Sequence, residues 1–262
     1  MRRVLALMLC LMLLFVAHAE VWICPECGRE AEGNFCPWCG TKRTWEIICP
    51  VCGAHYNKES GYTFCRNCGA VLPVILVDSV NVGDIVSFGH YEQDNDVSNG
   101  KENIEWIVLS KDEHTLRLIS RYGLDCAAYN RMYASTNWED CTLRRWLNQD
   151  FMNDAFSEKE RALLLTENGV PGDNGDRVFL LNASDAETLF KNDDARQCQA
   201  TARVRAKGVY ADQDNNGWYW LSSSGDYSKH AARVLGNGTI DSYGFRVNFV
   251  GGIVRPMIML HC

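Results

Sequence analysis

Four pairs of cysteines near the N-terminus constrain this chain more than any other feature of its sequence. Each pair has Cys-x-x-Cys spacing and is followed directly by Gly, a unit called a knuckle below. Two thiolates three residues apart can bind one Zn²⁺ if the chain turns tightly, and Gly supplies the positive φ of such a turn. The spacing therefore predicts two structural zinc ions, held by Cys24, Cys27, Cys36, Cys39, Cys49, Cys52, Cys65 and Cys68.

The predicted zinc sites have the patterns C-x2-C-x8-C-x2-C and C-x2-C-x12-C-x2-C, which resemble the tandem zinc ribbons of many bacterial and archaeal proteins over residues 24–69. Neighbouring knuckles are favoured as partners because they close the shortest loops, although the sequence leaves the pairing open. Disulfides between different pairs are the alternative in an exported chain. A zinc site made of four cysteines has no open position for a substrate, so the expected role of the metal is to fold a segment too small for its own core.

The first nineteen residues have the three parts of a secretory signal peptide. Arg2 and Arg3 precede an apolar run over residues 4–16, and Ala17-His18-Ala19 offers small residues at a cleavage site. The apolar run is shorter than the ~20 residues that cross a bilayer, which favours cleavage over an uncleaved N-terminal anchor facing outward. We therefore expect a secreted or cell-surface protein with no transmembrane span after cleavage of residues 1–19.

Charge argues against nucleic acid as a partner. Removing residues 1–19 deletes two Arg and no acid, so the formal charge moves from −7 to −9. The cysteine-rich segment, residues 20–72, carries five basic and six acidic residues, and it therefore lacks the basic surface typical of nucleic-acid binding. Spacing or protein contact is the expected role of this segment.

After a linker at residues 73–77, the sequence changes to alternating and helical apolar patterns. Strands are predicted over residues 82–91, 104–110, 115–120, 177–181, 218–222, 231–235, 243–249 and 253–260. An amphipathic helix is predicted where large apolar residues recur at helical spacing, at Leu143, Trp146, Leu147 and Phe151. Capping boxes at Ser157/Glu160 and Ser184/Glu187 indicate helices over residues 158–165 and 185–190. Strands, then helices, then strands predict an α+β domain with a mainly antiparallel sheet.

Six motifs in a fixed order resemble a widespread bacterial domain family of unknown function over about residues 78–260. They are VGDIVSFGHY, IEWIVL, CTLRRWLNQDF, RVFLLNASDAE, WYWLSS and VRPMIML. The segments AARV and YGFRV, within residues 218–260, are also similar to the end of formylglycine-generating-enzyme-like domains. This second resemblance implies a C-type-lectin-like fold for residues 78–262, and it implies fold more than activity.

We hypothesise a non-enzymatic binding protein whose lectin-like domain recognises a carbohydrate or protein ligand. Candidate ligand-binding residues are Trp218, Trp220, Tyr227, His230 and Tyr243. Trp218 and Trp220 alternate along one strand and therefore share a face. Such a face is more often buried in the core than exposed to a ligand. The alternatives are a metal-dependent oxidoreductase similar to formylglycine-generating enzymes and a purely structural surface module. Cys or His residues that come together in the wall of the cleft formed by residues 218–250 would favour the oxidoreductase. Exposed aromatic rings there would favour a ligand-binding domain.

Other polar residues have structural explanations. Asp212-x-Asp214-x-Asn216-Gly217 begins like a calcium loop, but Ser223 stands where an EF-hand needs a bidentate Glu, so a polar turn is favoured. Arg246 and Arg255 are expected to be structural and to donate to backbone carbonyls or a carboxylate. The cysteines outside the knuckles are expected to be buried thiols or one disulfide, and they are Cys126, Cys141, Cys198 and Cys262.

Overall fold

The computed structural model describes residues 21–23, 26–32, 37–41, 46–48, 55–57, 80–112, 115–169 and 175–261. The chain divides into two compact units, Met1–Glu46 and Ile47–Cys262. The expected signal peptide and linker lie outside the described residues, together with Cys262 and the predicted zinc ligands Cys24, Cys36, Cys49, Cys52, Cys65 and Cys68. Among the helices that are described, none combines the length and the apolar character needed to cross a membrane.

Two short strand pairs bracket the first and third knuckles. Strand β1 (Val21–Ile23) pairs antiparallel with β2 (Glu30–Glu32). Strand β3 (Glu46–Ile48) pairs with β4 (His55–Asn57). The sequence between β1 and β2 contains the first knuckle, and the sequence between β3 and β4 contains the third. The same local arrangement therefore recurs in both predicted ribbons.

The remainder of the chain is a mixed α/β domain with mainly antiparallel strands, as predicted. Its strands are β5 (Ile85–Tyr91), β6 (Glu102–Lys111), β7 (Thr115–Ser120), β8 (Asp125–Cys126), β9 (Leu164–Leu165), β10 (Val178–Phe179), β11 (Tyr219–Ser224), β12 (His230–Val234), β13 (Ile240–Arg246), β14 (Ile253–Val254) and β15 (Met257–His261). Its helices are α1 (Thr142–Trp146), which continues through a π-helical turn (Leu147–Phe151) into α2 (Met152–Ala155), then α3 (Glu158–Arg161), α4 (Ala183–Leu189), α5 (Asp193–Arg196) and α6 (Ala202–Ala206).

The strands form two sheets. One has the order β10-β15-β7-β6-β5 with β9 added beside β15, and the other has the order β13-β12-β11-β14-β8. The pairs are antiparallel except β11 with β14. Bulges interrupt four of the pairings, and bulges bend strands, which agrees with the curling of the antiparallel strands into a half-barrel toward the C-terminus.

Large apolar side chains fill two clusters. The first cluster includes Trp106, Phe151, Phe156 and Trp220, and the second includes Tyr219 and residues of the second sheet and the helices. The amphipathic helix predicted from its apolar spacing is present, and it buries Leu143, Leu147 and Phe151 in the first cluster. In the second sheet, the outer strand β13 carries one exposed aromatic residue, Tyr243.

The capping box at Ser157 is confirmed, but the helix after it is shorter than predicted. The Ser157 hydroxyl accepts a hydrogen bond from the Glu160 N–H at 3.3 Å, and the Glu160 carboxylate accepts one from the Ser157 N–H at 2.8 Å. Helix α3 ends at Arg161, and Leu164 and Leu165 instead form β9 against β15. The gain from joining the sheet outweighs the helical propensity of the leucines.

The predicted strand over residues 253–260 is divided between the two sheets at Arg255 and Pro256. Pro256 has no N–H for a ladder, and the Arg255 side chain is buried at the break. The Arg255 guanidinium donates to the carbonyl oxygens of Ser120 at 3.0 Å and Arg196 at 2.8 Å. Its expected structural role is therefore confirmed, whereas Arg246 is exposed on the surface.

Candidate functional site

Three of the five candidate ligand-binding residues come together on the surface of the second sheet. Tyr227 precedes β12, His230 begins β12, and Tyr243 lies on β13. Ring centroids are 5.2 Å apart for Tyr227 and His230, 5.3 Å for the two tyrosines, and 5.8 Å for His230 and Tyr243. Tyr227 is 55% exposed and Tyr243 is 53% exposed. This cluster, called the aromatic triad below, presents large rings to solvent.

The turn before β12 sets the spacing of the triad. The Gly225 N–H donates to the His230 carbonyl oxygen at 2.9 Å, and the His230 N–H donates to the Tyr227 carbonyl oxygen at 2.8 Å. The Asp226 N–H donates to the Tyr243 carbonyl oxygen at 3.2 Å. A Cβ atom on Gly225 would lie 2.6 Å from that same oxygen and 2.8 Å from the His230 Cβ. Only glycine therefore lets the turn approach β13 this closely.

The polar atoms of the triad are partly engaged within the chain. A hydrogen bond with Tyr227 raises the pKa of Tyr243, so the Tyr243 hydroxyl is neutral at physiological pH. Nδ1 of His230 is buried and finds no hydrogen-bond partner among the described residues. Close by in sequence, the Lys229 ammonium lies 4.9 Å from the centre of the Tyr133 ring, which adds a positive charge and another exposed ring.

A polar cleft of about 650 Å³ lies near the triad, and Arg144, Glu167 and Ser224 are among its lining residues. Behind Arg144 is the buried carboxylate of Asp176, which accepts hydrogen bonds from Arg144 Nε at 2.7 and 2.8 Å and from Trp138 Nε1 at 2.9 Å. Partial burial raises the pKa of Glu167 above its usual range. The cleft therefore offers carboxylate, guanidinium and hydroxyl groups to a polar ligand.

Two backbone contacts connect the strand and loop that line the cleft with the turn that carries the triad. Ser224 lines the cleft and pairs in the sheet with Ala231, the residue after His230. On the other side, the Thr136 N–H donates to the Ser228 carbonyl oxygen at 3.0 Å, which ties the loop before α1 to the turn that carries the triad. The segments that carry the triad and those that line the cleft are thus joined by backbone hydrogen bonds.

The two candidate tryptophans do not belong to the triad, and both are less exposed than its tyrosines. Trp220 is 0% exposed and donates its Nε1–H to the Ala127 carbonyl oxygen at 2.9 Å, so it belongs to the core and is not available to a ligand. Trp218 is half-buried and packs edge-on against Trp220 with ring centroids 4.7 Å apart. The Arg233 guanidinium covers the Trp218 ring at 5.0 Å and is itself bound to Asp241 at 2.9 Å. The alternative prediction, that the strand face shared by the two tryptophans belongs to the core, is therefore correct for Trp220.

Sequence reasoning missed a buried carboxylate, Asp125, whose partners come from distant parts of the chain. The Tyr91 hydroxyl donates to Asp125 at 2.6 Å, Lys207 forms an ion pair with it, and Arg203 Nε lies 3.8 Å away. These residues line a cavity of about 370 Å³. Burial, and next the Asp125 charge, raise the pKa of Tyr91, so its hydroxyl is a donor. The i,i+4 spacing of Arg203 and Lys207 indicates a common helix face, but nothing in the sequence connects it with Asp125.

The described cysteines outside the knuckles are free thiols. Cys141 and Cys198 are buried, and Cys141 caps α1 by accepting a hydrogen bond from the Arg144 N–H at 3.4 Å. Desolvation raises the pKa of Cys126, Cys141 and Cys198, that of Cys141 to about 11. The expectation of buried thiols is therefore confirmed for Cys141 and Cys198.

In the N-terminal unit, Gly28 has φ +67° and Gly40 has φ +75°. The positive φ predicted for the glycine after each knuckle is confirmed at these two positions. The sulfur of Cys39 lies 3.0 Å from the Thr41 hydroxyl. A left-handed glycine directly after the second cysteine is the backbone geometry that lets a knuckle turn tightly, so the local conformation fits a thiolate-bound metal.

The segment over residues 212–217 is a polar turn. One carboxylate oxygen of Asp212 accepts hydrogen bonds from the Asp214 N–H at 3.0 Å and the Asn216 N–H at 2.8 Å, and Asn215 has φ +67°. These contacts are those of an Asx turn that stabilises itself.

The fold and the triad define a mixed α/β domain with an exposed aromatic surface. A family model described as Domain of unknown function (DUF6273) matches residues 112–262, more than half of the chain. The chain belongs to this family.

A short segment is also similar to archaeal proteins. The DNA polymerase II large subunit of Pyrococcus horikoshii is 37% identical over 62 residues, which cover 22% of this chain and 4% of that subunit. The DNA polymerase II large subunit of Thermococcus kodakarensis is 30% identical over 66 residues, 24% of this chain and 4% of that subunit. The chain thus spans a small fraction of the length of these curated relatives. No solved structure matches the chain.

Proposed function

We propose that this protein is an exported, non-enzymatic binding protein whose C-terminal domain binds a carbohydrate or protein ligand through the aromatic triad. The observation that carries the proposal is the convergence of Tyr227, His230 and Tyr243 into one exposed cluster. Tyrosine rings supply rigid apolar contact area with a polar tip, and they are typical of binding surfaces.

The polar groups that line the cleft favour a carbohydrate over a protein as the ligand. A sugar has an apolar ring face that packs on tyrosine and hydroxyl groups that need hydrogen-bonding partners. The triad supplies the first kind of contact, and Arg144, Glu167 and Ser224 supply the second. A C-type-lectin-like fold is part of this proposal, and the mainly antiparallel curled sheet supports it.

The chemistry of the thiols argues for binding over oxidoreductase activity. Residues 218–250 contain no Cys, and His230 is the only His among them. The raised pKa values of Cys126, Cys141 and Cys198 keep these thiols protonated at neutral pH, whereas a nucleophile or metal ligand needs the thiolate. The exposed rings of the triad also argue against a purely structural module, because such a module has no need for aromatic rings on its surface.

The knuckles complete the proposal as two structural zinc sites. Four thiolates per site are the soft ligands that suit Zn²⁺, and the left-handed glycines at Gly28 and Gly40 support this use of the first two knuckles. The zinc would fold the segment without taking part in ligand binding. Because the segment similar to the polymerase subunits is so small a part of them, we carry over neither their activity nor a nucleic-acid partner.

A glycan array probed with the purified full chain tests the proposal. We expect binding to a defined set of glycans, and we expect Tyr227→Ala and Tyr243→Ala each to weaken it about fivefold, since a stacked aromatic contact contributes roughly 1 kcal/mol. Tyr210→Ala is the matched control, because Tyr210 is 81% exposed and lies outside the triad.

Two outcomes would count against the proposal. Binding that survives the double replacement of Tyr227 and Tyr243 would place the ligand elsewhere. Absence of glycan binding would remove the carbohydrate ligand, leaving a protein ligand to be tested with the same three variants.

A further inference from the structure

Three carboxylates meet where the connection between β5 and β6 begins and ends. Glu92 directly follows β5, Glu102 is the first residue of β6, and Tyr91 and Glu102 are paired in the sheet. Asp94 comes from the loop between the two strands. One carboxylate oxygen from each of Glu92, Asp94 and Glu102 can be chosen so that all three lie within 4.8 Å of one another. This cluster is called the acidic site below, and it shares no residue with the aromatic triad.

One carboxylate oxygen of the acidic site, Oε1 of Glu92, is buried without a hydrogen-bond partner among the described residues. The residue as a whole is 6% exposed. Within the part of the chain that the structure describes, the ion pairs involve none of the three carboxylates. A buried carboxylate is normally paired, hydrogen-bonded or bound to a metal, and three acids this close repel one another. A bound cation would pair the buried carboxylate and would offset the repulsion among the three acids.

The other two carboxylates are already held in place by the loop. Asp94 accepts hydrogen bonds from the Asp96 N–H at 2.7 Å and from the Asn99 amide at 2.7 Å. Glu102 accepts hydrogen bonds from the Gln93 N–H at 2.6 Å and the Asp94 N–H at 3.3 Å, both through Oε2. These bonds fix the directions of the carboxylates before any ion arrives.

We propose that Glu92, Asp94 and Glu102 bind a calcium ion. The three side chains offer only hard oxygen ligands. Such ligands suit hard cations such as Ca²⁺ and disfavour soft metal ions, which prefer thiolates. Two oxygens bound to one Ca²⁺ at about 2.3–2.6 Å each can be up to ~5 Å apart, which accommodates the observed spacing. Calcium tolerates irregular ligand geometry, whereas Mg²⁺ demands a near-ideal octahedron and dehydrates reluctantly.

The surroundings leave room for the rest of the coordination shell. Asp94 and Glu102 line a cavity of about 470 Å³ whose walls also carry Gln93, Asn103 and Thr201. Amide and hydroxyl groups of this kind can hold water molecules, which complete the shell of a calcium ion that has few protein ligands. The ion would join the first turn of the loop to the start of β6.

Calorimetry on the full chain, dialysed into calcium-free buffer and keeping its zinc content, tests this site. We expect one Ca²⁺ to bind per chain and the melting temperature to rise when CaCl₂ is added. Glu92→Gln should weaken calcium binding by at least about tenfold, because ligand charge sets the affinity of such sites. Its metal-free melting temperature should equal or exceed that of the wild type, because an unpaired buried charge is removed.

Glu187→Gln is the matched control, because Glu187 is an exposed acid on α4, and it should respond to calcium like the wild type. Asp94→Asn, on an exposed side chain, tests the site independently if Glu92→Gln folds poorly. A wild type that ignores CaCl₂, or a Glu92→Gln variant that binds it as well as the wild type, would overturn the proposal. A response to MgCl₂ but not to CaCl₂ would overturn the choice of ion.

Discussion

Arg255 carries a full positive charge in a place where the described residues offer no carboxylate within ion-pair distance. Its charge is instead distributed over the carbonyl oxygens of Ser120 and Arg196 and over aromatic rings. The ring centres of Tyr219 and Phe190 lie 5.1 and 5.7 Å from the guanidinium carbon. Carbonyl dipoles and ring faces are weaker partners than a carboxylate, but together they satisfy a buried cation and fix three separate chain segments.

Replacing Arg255 with Ala should destabilise the domain by about 3 kcal/mol, because carbonyl oxygens that are now bonded would be buried without donors. For a domain of this size the melting temperature should fall by roughly 6–12 °C, measured by calorimetry. Arg246→Ala is the control, because Arg246 is exposed, and it should change little. Unchanged stability of Arg255→Ala together with loss of a carboxylated ligand would show that Arg255 belongs to a binding site.

At the scale of elements, a strand with clear apolar alternation could be predicted with its bounds, whereas helices of four or five residues could not. Strand β7 has the predicted bounds because its apolar residues alternate. Helices α5 and α6 were not predicted, because they have only four and five residues, and a single cap from Asn192 or Thr201 begins each of them. Such short helices are stabilised by tertiary contacts more than by propensity.

Helix α4 shows how a cap can be assigned to the wrong residue. The predicted capping box at Ser184 is wrong, since the Asn182 side chain accepts a hydrogen bond from the Asp185 N–H at 2.8 Å and caps the helix two residues earlier. Asn and Ser are both good caps, so residue type alone does not choose between them.

Asn182→Ala should therefore cost about 1 kcal/mol, the usual loss when an N-cap side chain is removed. Ser184→Ala should be nearly neutral, because Ser184 lies inside the helix, where Ala is the best helix former. Urea unfolding of both variants and the wild type measures the two changes. Equal losses in the two variants would contradict the assignment of the cap to Asn182.

The candidate site could be predicted only in part, for a physical reason. His230 and Tyr243 lie on the neighbouring strands β12 and β13, and Tyr227 lies in the turn just before β12, so the proximity of the three follows from local pairing. Whether Trp218 and Trp220 lie on the surface or in the core depends on what packs against the second sheet, and the sequence of one strand does not show this. Contacts such as Lys207 with Asp125, 82 residues apart, and the acidic site depend on packing that no local pattern records.

At the scale of the whole molecule, the division between the two compact units falls between the second and third knuckles. The first two knuckles therefore share one unit, which supports the pairing of neighbours. The proposed zinc ions would be needed to fold the cysteine-rich segment, whereas the C-terminal domain has its own core of buried rings. The two parts should respond differently to removal of zinc.

Elemental analysis of the purified protein should find two Zn²⁺ per chain. Cys27→Ser should reduce this content to one, and Cys126→Ser, which changes a thiol outside the knuckles, should leave it at two. A strong chelator should remove the zinc while the near-ultraviolet signal of Trp106 and Trp220, both buried in the C-terminal domain, is retained. A protein without zinc whose knuckle cysteines do not react with thiol reagents before denaturation would instead be disulfide-bonded.

Strand β15 follows every other element in the sequence, yet it lies inside the first sheet between β10 and β7. Arg255, just before it, binds the carbonyl of Ser120 across 135 residues and that of Arg196 across 59. During synthesis, the sheet therefore lacks an inner strand until residues 257–261 have left the ribosome. Closure of the first sheet is therefore a late event, which can occur only after almost all of the domain has been synthesised.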